Sequence, residues 1–117
     1  MVSIYSQPAM KESVDPTEFD WDDGNAEKNW RLHRVSAAEI EEIFFNEPLV
    51  VEDDVQHSEN ELRHRALGVT DSGKLLFVVY TIRSDRVRVI SARDMTGPER
   101  REYEHARAEE LEANPEV

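Results

Sequence analysis

The apolar run LLFVVYTI at residues 75–82 most constrains what this chain can fold into. A run this rich in β-branched and aromatic side chains is typical of a central strand in a sheet. The turn sequence DSG precedes it at residues 71–73, and a two-residue Ser-Asp connection follows its strand at residues 84–85. We therefore predict neighbouring strands over residues 62–69 and 86–93, so that three strands form an antiparallel meander.

A short helix is predicted before the meander, over residues 25–33. Asn25 is expected to cap this helix, because asparagine side chains accept hydrogen bonds from the first free backbone N–H groups. Ala26, Trp30 and His33 follow the helical repeat and share one face of the helix, and Trp30 is expected to belong to the core. A short strand, EFDWDD at residues 18–23, is predicted before it.

Two capping boxes indicate the starts of further helices. Ser36 and Glu39 stand three residues apart before an apolar stripe, and Thr96 and Glu99 repeat this spacing after the meander. Helices that precede and follow an antiparallel meander in the sequence indicate the fold class. We predict an α+β fold in which an antiparallel sheet with a three-stranded meander packs against helices.

The length of 117 residues fits one domain. We predict a flexible N-terminal arm over residues 1–17, a folded domain over residues 18–108 and an acidic C-terminal tail over residues 109–117. A start-site extension would explain the arm equally well. The chain has no cysteine, no apolar leader of the signal-peptide type and no apolar run of membrane-spanning length, so a cytoplasmic location is expected.

The net charge of −12 argues at first against nucleic-acid binding, because phosphates attract positive charge. The acidity lies at the two ends, since residues 1–28 and residues 102–117 each carry a charge of −5. Residues 60–101 carry +4. The summed charge is therefore a poor guide to what the meander binds.

Alternation along the strands predicts a basic sheet face. If Leu62, Ala66, Val87 and Val89 pack on the helices, then four arginines share the opposite face: Arg63, Arg65, Arg86 and Arg88. An open face of this kind can bind an extended phosphodiester chain. The alternative is an ordinary solvated face with cross-strand glutamate–arginine pairs.

The histidines point to acid–base chemistry rather than to a metal. The four histidines lack metal-ligand spacing, so neither a metal nor another cofactor is expected. His64 alternates onto the core side and is interpreted as a packed residue. His57, Glu61 and nearby arginines are the residue types that metal-free RNA cleavage needs: a base for the 2′-hydroxyl, an acid for the leaving 5′ oxygen and cations for the phosphate. Many protein surfaces contain such a set.

Several motifs together resemble one known family. They are FDWD at residues 19–22, HS-x-x-E-x-R at 57–63, LLFVVYTIR at 75–83 and RVRVISARDMTGPERREYE at 86–104. This ordered set resembles the BrnT toxins of bacterial type II toxin–antitoxin systems. The resemblance implies a RelE-like fold and a metal-independent endoribonuclease that inhibits translation. It also implies a BrnA-like antitoxin, expected to be a ribbon-helix-helix dimer, through which the pair binds operator DNA.

Carried over position by position, the resemblance gives a candidate site. The expected catalytic residues are His57, Glu61, Arg63, Arg83 and Arg93. In this set, His57 or Glu61 moves the proton and the arginines hold or polarise phosphate. The expected RNA-binding residues are Arg65, Arg86, Arg88, Arg100 and His33.

The first predicted helix departs from the family pattern. Asn25 stands where the family usually has a lysine, Leu32 where it has a basic residue, and Arg34 where it has a glycine. Two of these departures remove cations. They leave a second hypothesis open, namely a catalytically degenerate relative that binds a partner without cleaving RNA.

Overall fold

The computed structural model describes residues 18–57 and 60–113, and for His57 and Ala113 it describes the backbone alone. Within this part, the elements follow the order α1 (Asp23–His33), α2 (Ala37–Ile43), β1 (Val50–Asp53), β2 (Arg63–Val69), β3 (Leu75–Arg83), β4 (Arg86–Asp94) and α3 (Gly97–Ala113). The predicted arm at residues 1–17 lies outside the described residues, whereas residues 109–113 of the predicted tail belong to α3. The predicted α+β class is confirmed.

The sheet has one more strand than the predicted meander. The four strands lie in the order β1-β2-β3-β4, and every neighbouring pair is antiparallel. The additional strand, β1, is only four residues long and places Val51 opposite Ala66. The strand predicted at residues 18–23 is instead a single parallel bridge between Phe19 and Val87.

Helices cover both faces of the sheet. On one face, α2 packs Ile40 and Ile43 into the larger core cluster, which also contains Ala66, Val78 and Val87. On the other face, α3 forms a smaller cluster from Val50, Leu67, Met95, Tyr103 and Ala106. Both predicted capping boxes, at Ser36 and at Thr96, are present.

Helix α2 lies very close to β2 at one glycine. A Cβ atom added to Gly68 would lie 2.7 Å from the Cβ of Ile43. Any side chain at this position would therefore push α2 away from the sheet. Glycine here sets the distance at which Ile43 reaches the core.

The predicted cap of α1 and the predicted burial of Trp30 were wrong. Asp22 is the N-cap, and Asn25 sits three residues later, where the two side chains form a reciprocal capping box. Trp30 is 48% exposed, whereas Asn25 and Asn29 are buried. The reason is the position of α1, which lies along the outer edge of β4 and meets backbone groups rather than apolar side chains.

Amide side chains of α1 form hydrogen bonds with backbone groups along the edge of β4. The Nδ2 atom of Asn25 donates to the Val89 carbonyl at 3.1 Å, and the Ala92 N–H donates to the Oδ1 atom of Asn29 at 3.1 Å. Lys28 donates to the Ile90 carbonyl at 2.6 Å, where β4 contains a bulge. An edge covered in this way is protected from pairing with another chain.

Replacing Asn29 by leucine is expected to lower the free energy of unfolding by about 2–4 kcal/mol, because the buried N–H of Ala92 then has no acceptor. Urea denaturation followed by circular dichroism measures the change. The control is the converse exchange Leu32→Asn at an exposed position of the same helix, which should alter stability by less than about 0.5 kcal/mol. Equal stability of the two variants would show that the Asn29 hydrogen bonds contribute little.

Candidate functional site on the arginine face of the sheet

Six arginines of the meander share the sheet face that lies opposite to α2. We call this surface the arginine face; it comprises Arg63, Arg65, Arg83, Arg86, Arg88 and Arg93. The predicted alternation is confirmed for Ala66, Val87 and Val89, which are buried on the α2 side. It was wrong for Leu62, which precedes β2 and is 53% exposed.

The arginine face has two halves, because α3 packs on only one of them. Arg93 lies opposite Phe77, in the half that contacts α3, and Arg83 lies opposite Arg86 beside the β3–β4 turn. Arg83 follows Phe77 by six positions along β3, which is about 20 Å at roughly 3.4 Å per residue. The expected catalytic residues therefore do not form one group.

Five charged residues come together at the turn end of the face. We call them the hairpin cluster: Glu61, Arg63, Arg83, Arg86 and Arg88. The two-residue turn places Ser84 at a φ of 51° and Asp85 at a φ of 63°, the left-handed geometry that suits a tight hairpin. The register then places Arg63 and Arg88 on either side of Thr81.

Glu61 is the carboxylate at the centre of the hairpin cluster. Arg83 binds it with two hydrogen bonds, from Nε at 3.1 Å and from Nη2 at 3.0 Å. These bonds, with the positive charges of Arg83, Arg63 and Arg88, lower the pKa of Glu61, and the same pair raises the pKa of Arg83. At neutral pH Glu61 is therefore an anion, able to accept a proton but not to supply one.

Three further carboxylates reach the cluster from the segment that precedes α1. We call them the acidic edge: Glu18, Asp20 and Asp22. Glu18 lies 3.5 Å from Arg86, and Arg88 contacts both Asp20 at 3.5 Å and Asp22 at 2.9 Å. Sequence reasoning did not place these residues in the site. The signal was present, since their alternation with Phe19 and Trp21 already indicated extended chain.

Arg93 serves the packing of α3 in this structure. Its guanidinium group donates to both carboxylate oxygens of Glu99, at 2.9 and 3.0 Å, and stacks 4.1 Å from the ring centre of Phe77. Burial raises the pKa of Glu99, but the hydrogen bonds from Arg93 and from the Thr96 backbone outweigh it and lower this pKa overall. The pair fixes the first turn of α3 to β4.

Arg65 lies between the two halves of the arginine face. It pairs with Glu52 on the neighbouring strand and lines a cavity of about 50 Å³ beneath α3, together with Phe77, Glu99 and Glu102. Ligand pockets typically measure about 300–1,000 Å³, so this cavity is too small for a nucleotide. The glutamate–arginine pairs that the alternative interpretation predicted are thus present, at Arg65 as well as at Arg83.

Two of the expected RNA-binding residues, His33 and Arg100, lie apart from the hairpin cluster. His33 is exposed at the far end of α1, about 15 Å along the helix axis from the contact between Asp22 and Arg88. Arg100 is exposed in the first turns of α3. The backbone of His57 ends a 3-10 turn, Val55–His57, between β1 and β2, and its side chain lies outside the described part.

His64 is packed, as predicted. Its ring lies 5.1 Å from the ring of Tyr80, and its Nδ1 atom is 3.1 Å from a carboxylate oxygen of Asp53. Among residues 18–57 and 60–113, no three histidine, aspartate or glutamate side chains are grouped as metal ligands. In the same residues, no helix combines the length and apolar character that crossing a bilayer requires.

Comparison with known proteins agrees with the family resemblance. Residues 21–99, more than half of the chain, match the family model described as "Ribonuclease toxin, BrnT, of type II toxin-antitoxin system". No curated protein matches the sequence. The matched region contains the whole hairpin cluster and the pair of Arg93 with Glu99, whereas Glu18 and Asp20 precede it. The chain belongs to the BrnT family of ribonuclease toxins of type II toxin–antitoxin systems.

Proposed function

We propose that this chain is a metal-independent endoribonuclease that cleaves RNA at the hairpin cluster and thereby inhibits translation. One observation carries the proposal: an ionised carboxylate, Glu61, lies among the arginines Arg63, Arg83 and Arg88 on an open sheet face. RNA cleavage needs a proton acceptor beside several fixed cations. A flat, basic strand surface also suits an extended single strand.

Glu61 is assigned the role of general base. It takes the proton of the 2′-hydroxyl, the 2′ oxygen forms a bond to phosphorus, and the bond from phosphorus to the 5′ oxygen breaks. The leaving 5′ oxygen takes up a proton, for which His57 is the proposed donor because an imidazolium group is available near neutral pH. Arg63, Arg83 and Arg88 stabilise the negative charge that grows on the phosphate oxygens.

Substrate binding is expected to activate the base. As long as Arg83 holds Glu61, the lowered pKa makes this carboxylate a weak proton acceptor. A phosphate oxygen that binds Arg83 competes for the same N–H groups. The pKa of Glu61 then rises, because the hydrogen bonds that lowered it are lost.

The remaining expected site residues are assigned supporting roles. Arg86 within the cluster and Arg65 beside it extend the basic surface, and Arg93 holds α3 in place. His33 and Arg100 are left with contacts to distant parts of a long RNA. Since the family is one of toxin–antitoxin pairs, an antitoxin partner is implied. We propose a BrnA-like dimer that covers the hairpin cluster with an acidic or amphipathic segment.

The test is cleavage of a labelled RNA by the purified chain in EDTA, beside a Glu61→Gln variant. The glutamine keeps a hydrogen-bond acceptor for Arg83 but cannot take up the 2′-hydroxyl proton at neutral pH. We expect the parent to cleave and the variant to be slower by about 10²–10⁴-fold.

The same experiment decides between the enzyme and the partner-binding relative. The observation that favours the second is that Arg83, Arg86 and Arg88 already contact carboxylates of the chain. If a folded parent cleaves neither free RNA nor RNA on ribosomes, the partner-binding function is the better description. Cleavage by parent and variant at equal rates would retain the enzyme but remove Glu61 from its chemistry.

A further inference from the structure

Carboxylates of this chain occupy the arginines that an RNA phosphate would need. The hairpin cluster contains four arginines, and the acidic edge together with Glu61 supplies four carboxylates. Arg83, Arg86 and Arg88 form ion pairs with these carboxylates. The local charge is therefore close to zero, although residues 60–101 carry +4. A polyanion gains little from a surface whose charges are already balanced.

The acidic edge has the form of an extended anionic strand beside β4. Asp20 N–H donates to the Val87 carbonyl at 2.8 Å, and Val87 N–H donates to the Glu18 carbonyl at 3.0 Å. Phe19, between them, packs against the larger core cluster and contacts Phe44. The side chains of Glu18 and Asp20 consequently point to the arginine face, roughly 7 Å apart. Consecutive phosphates of an extended RNA strand have a comparable spacing.

We infer that the acidic edge is an autoinhibitory contact that competes with RNA phosphates for Arg86 and Arg88. This inference rests on the proposed function of the hairpin cluster. The carboxylates of the edge occupy the positions at which RNA phosphates would bind, and RNA must displace these carboxylates to reach the two arginines. The backbone of the edge stays bound to β4, and Asp22 continues to cap α1 through its Oδ1 atom, while the carboxylates of Glu18 and Asp20 swing away.

The acidic edge could either compete with RNA for these arginines or hold them in position for RNA. The geometry favours the first, because the contacts are of a kind that RNA can displace. The side chain of Glu18 is 67% exposed and that of Asp20 is 37% exposed. Their distances of 3.5 Å to Arg86 and Arg88 are longer than those of well-formed charged hydrogen bonds, whereas Asp22 makes such a bond to Arg88 at 2.9 Å from a side chain that is 54% exposed. Exposed pairs of this kind are weak and are screened by salt. The phosphates of RNA can therefore replace them.

The test compares RNA binding by the parent and by a triple variant, Glu18→Gln, Asp20→Asn and Asp22→Asn. Asparagine at position 22 keeps the side-chain oxygen that caps α1. The control variant is Glu27→Gln, Glu104→Gln and Glu109→Gln, which removes the same charge from exposed ion pairs on helices. Binding of a fluorescent single-stranded RNA is followed by anisotropy over a range of salt concentrations.

We expect the triple variant to bind RNA about tenfold more tightly than the parent, with a steeper loss of affinity as salt rises. The control variant, which has the same net charge, should gain much less. A gain of equal size in both variants would overturn the inference, since it would reflect total charge alone. Weaker binding by the triple variant would also overturn it, because the carboxylates would then position the arginines.

Failure of the inference and failure of the proposed function give different results. If the parent and the triple variant both leave RNA unbound and uncleaved, the hairpin cluster is not an RNA site and the inference fails with it. If the parent binds RNA and the triple variant binds no better, the proposed function stands and the inference alone fails. Asp20→Asn, which alters no cap and no backbone contact, is the single variant to use if the triple variant does not fold.

Discussion

An Arg83→Ala variant is expected to cleave RNA about 10²–10³ times more slowly than the parent while it keeps the parent's fold. Arg83 provides two N–H groups on the open face, and both now bind Glu61. In the proposed reaction these groups transfer to the scissile phosphate. Removing them lowers the stabilisation of negative charge in the transition state. It also removes the arginine that, in the proposed reaction, releases Glu61 when it binds the phosphate. Single-turnover cleavage of labelled RNA measures the effect on chemistry.

Two further variants separate this role from general charge and from folding. Arg83→Lys keeps the positive charge but loses the planar fork, so it should recover only part of the activity. Arg31→Ala removes an exposed arginine from α1, outside the proposed site, and should cleave at about the parental rate. Full activity of a folded Arg83→Ala protein would place the chemistry elsewhere on the arginine face.

An Arg93→Ala variant should behave differently from Arg83→Ala. Arg93 binds Glu99 and stacks on Phe77, so its loss loosens the first turn of α3. We expect the free energy of unfolding to fall by about 1–2 kcal/mol. Cleavage should fall much less than in Arg83→Ala, because Arg93 lies roughly 20 Å from Arg83 along the strands and is engaged with α3. Urea denaturation and a cleavage assay on the same samples test both statements.

Local sequence signals were sufficient for the meander and for the capped helices. The run from Leu75 to Ile82 and the two-residue turn that follows set the central hairpin, and Ser36 and Thr96 set two helix starts. β1 was missed because its sequence, VVED, is too short to show a clear period. The side of α1 that faces the sheet was predicted incorrectly, because an amphipathic pattern indicates the buried side only where the helix packs on apolar side chains. Its neighbour is the backbone edge of β4, for which asparagine is the better partner.

Alternation predicted the sheet face that carries the candidate site, but not how the residues on that face are grouped. Alternation correctly placed Arg63, Arg65, Arg86 and Arg88 on one face. Alternation does not show which half of that face α3 covers. Arg93 was therefore placed with Arg83 among the expected catalytic residues. The pairing of Arg88 with Asp22 joins residues 66 positions apart in the chain. The bridge at Phe19 and the packing of α1 bring the acidic edge to β4, and alternation indicated an extended segment here without indicating its partner strand.

Replacing Tyr103 by alanine is expected to lower the free energy of unfolding by about 3–5 kcal/mol. Tyr103 is fully buried in the cluster beneath α3, and its hydroxyl donates to the Pro48 carbonyl at 2.7 Å. Tyr103→Phe fills the same space and loses only this hydrogen bond, so it should cost about 1–2 kcal/mol. Urea denaturation of both variants measures these costs, and parental stability of Tyr103→Ala would contradict the packing of α3 described above. The folded Tyr103→Phe protein should still cleave RNA at the parental rate, because the hairpin cluster lies on the half of the arginine face that α3 leaves open.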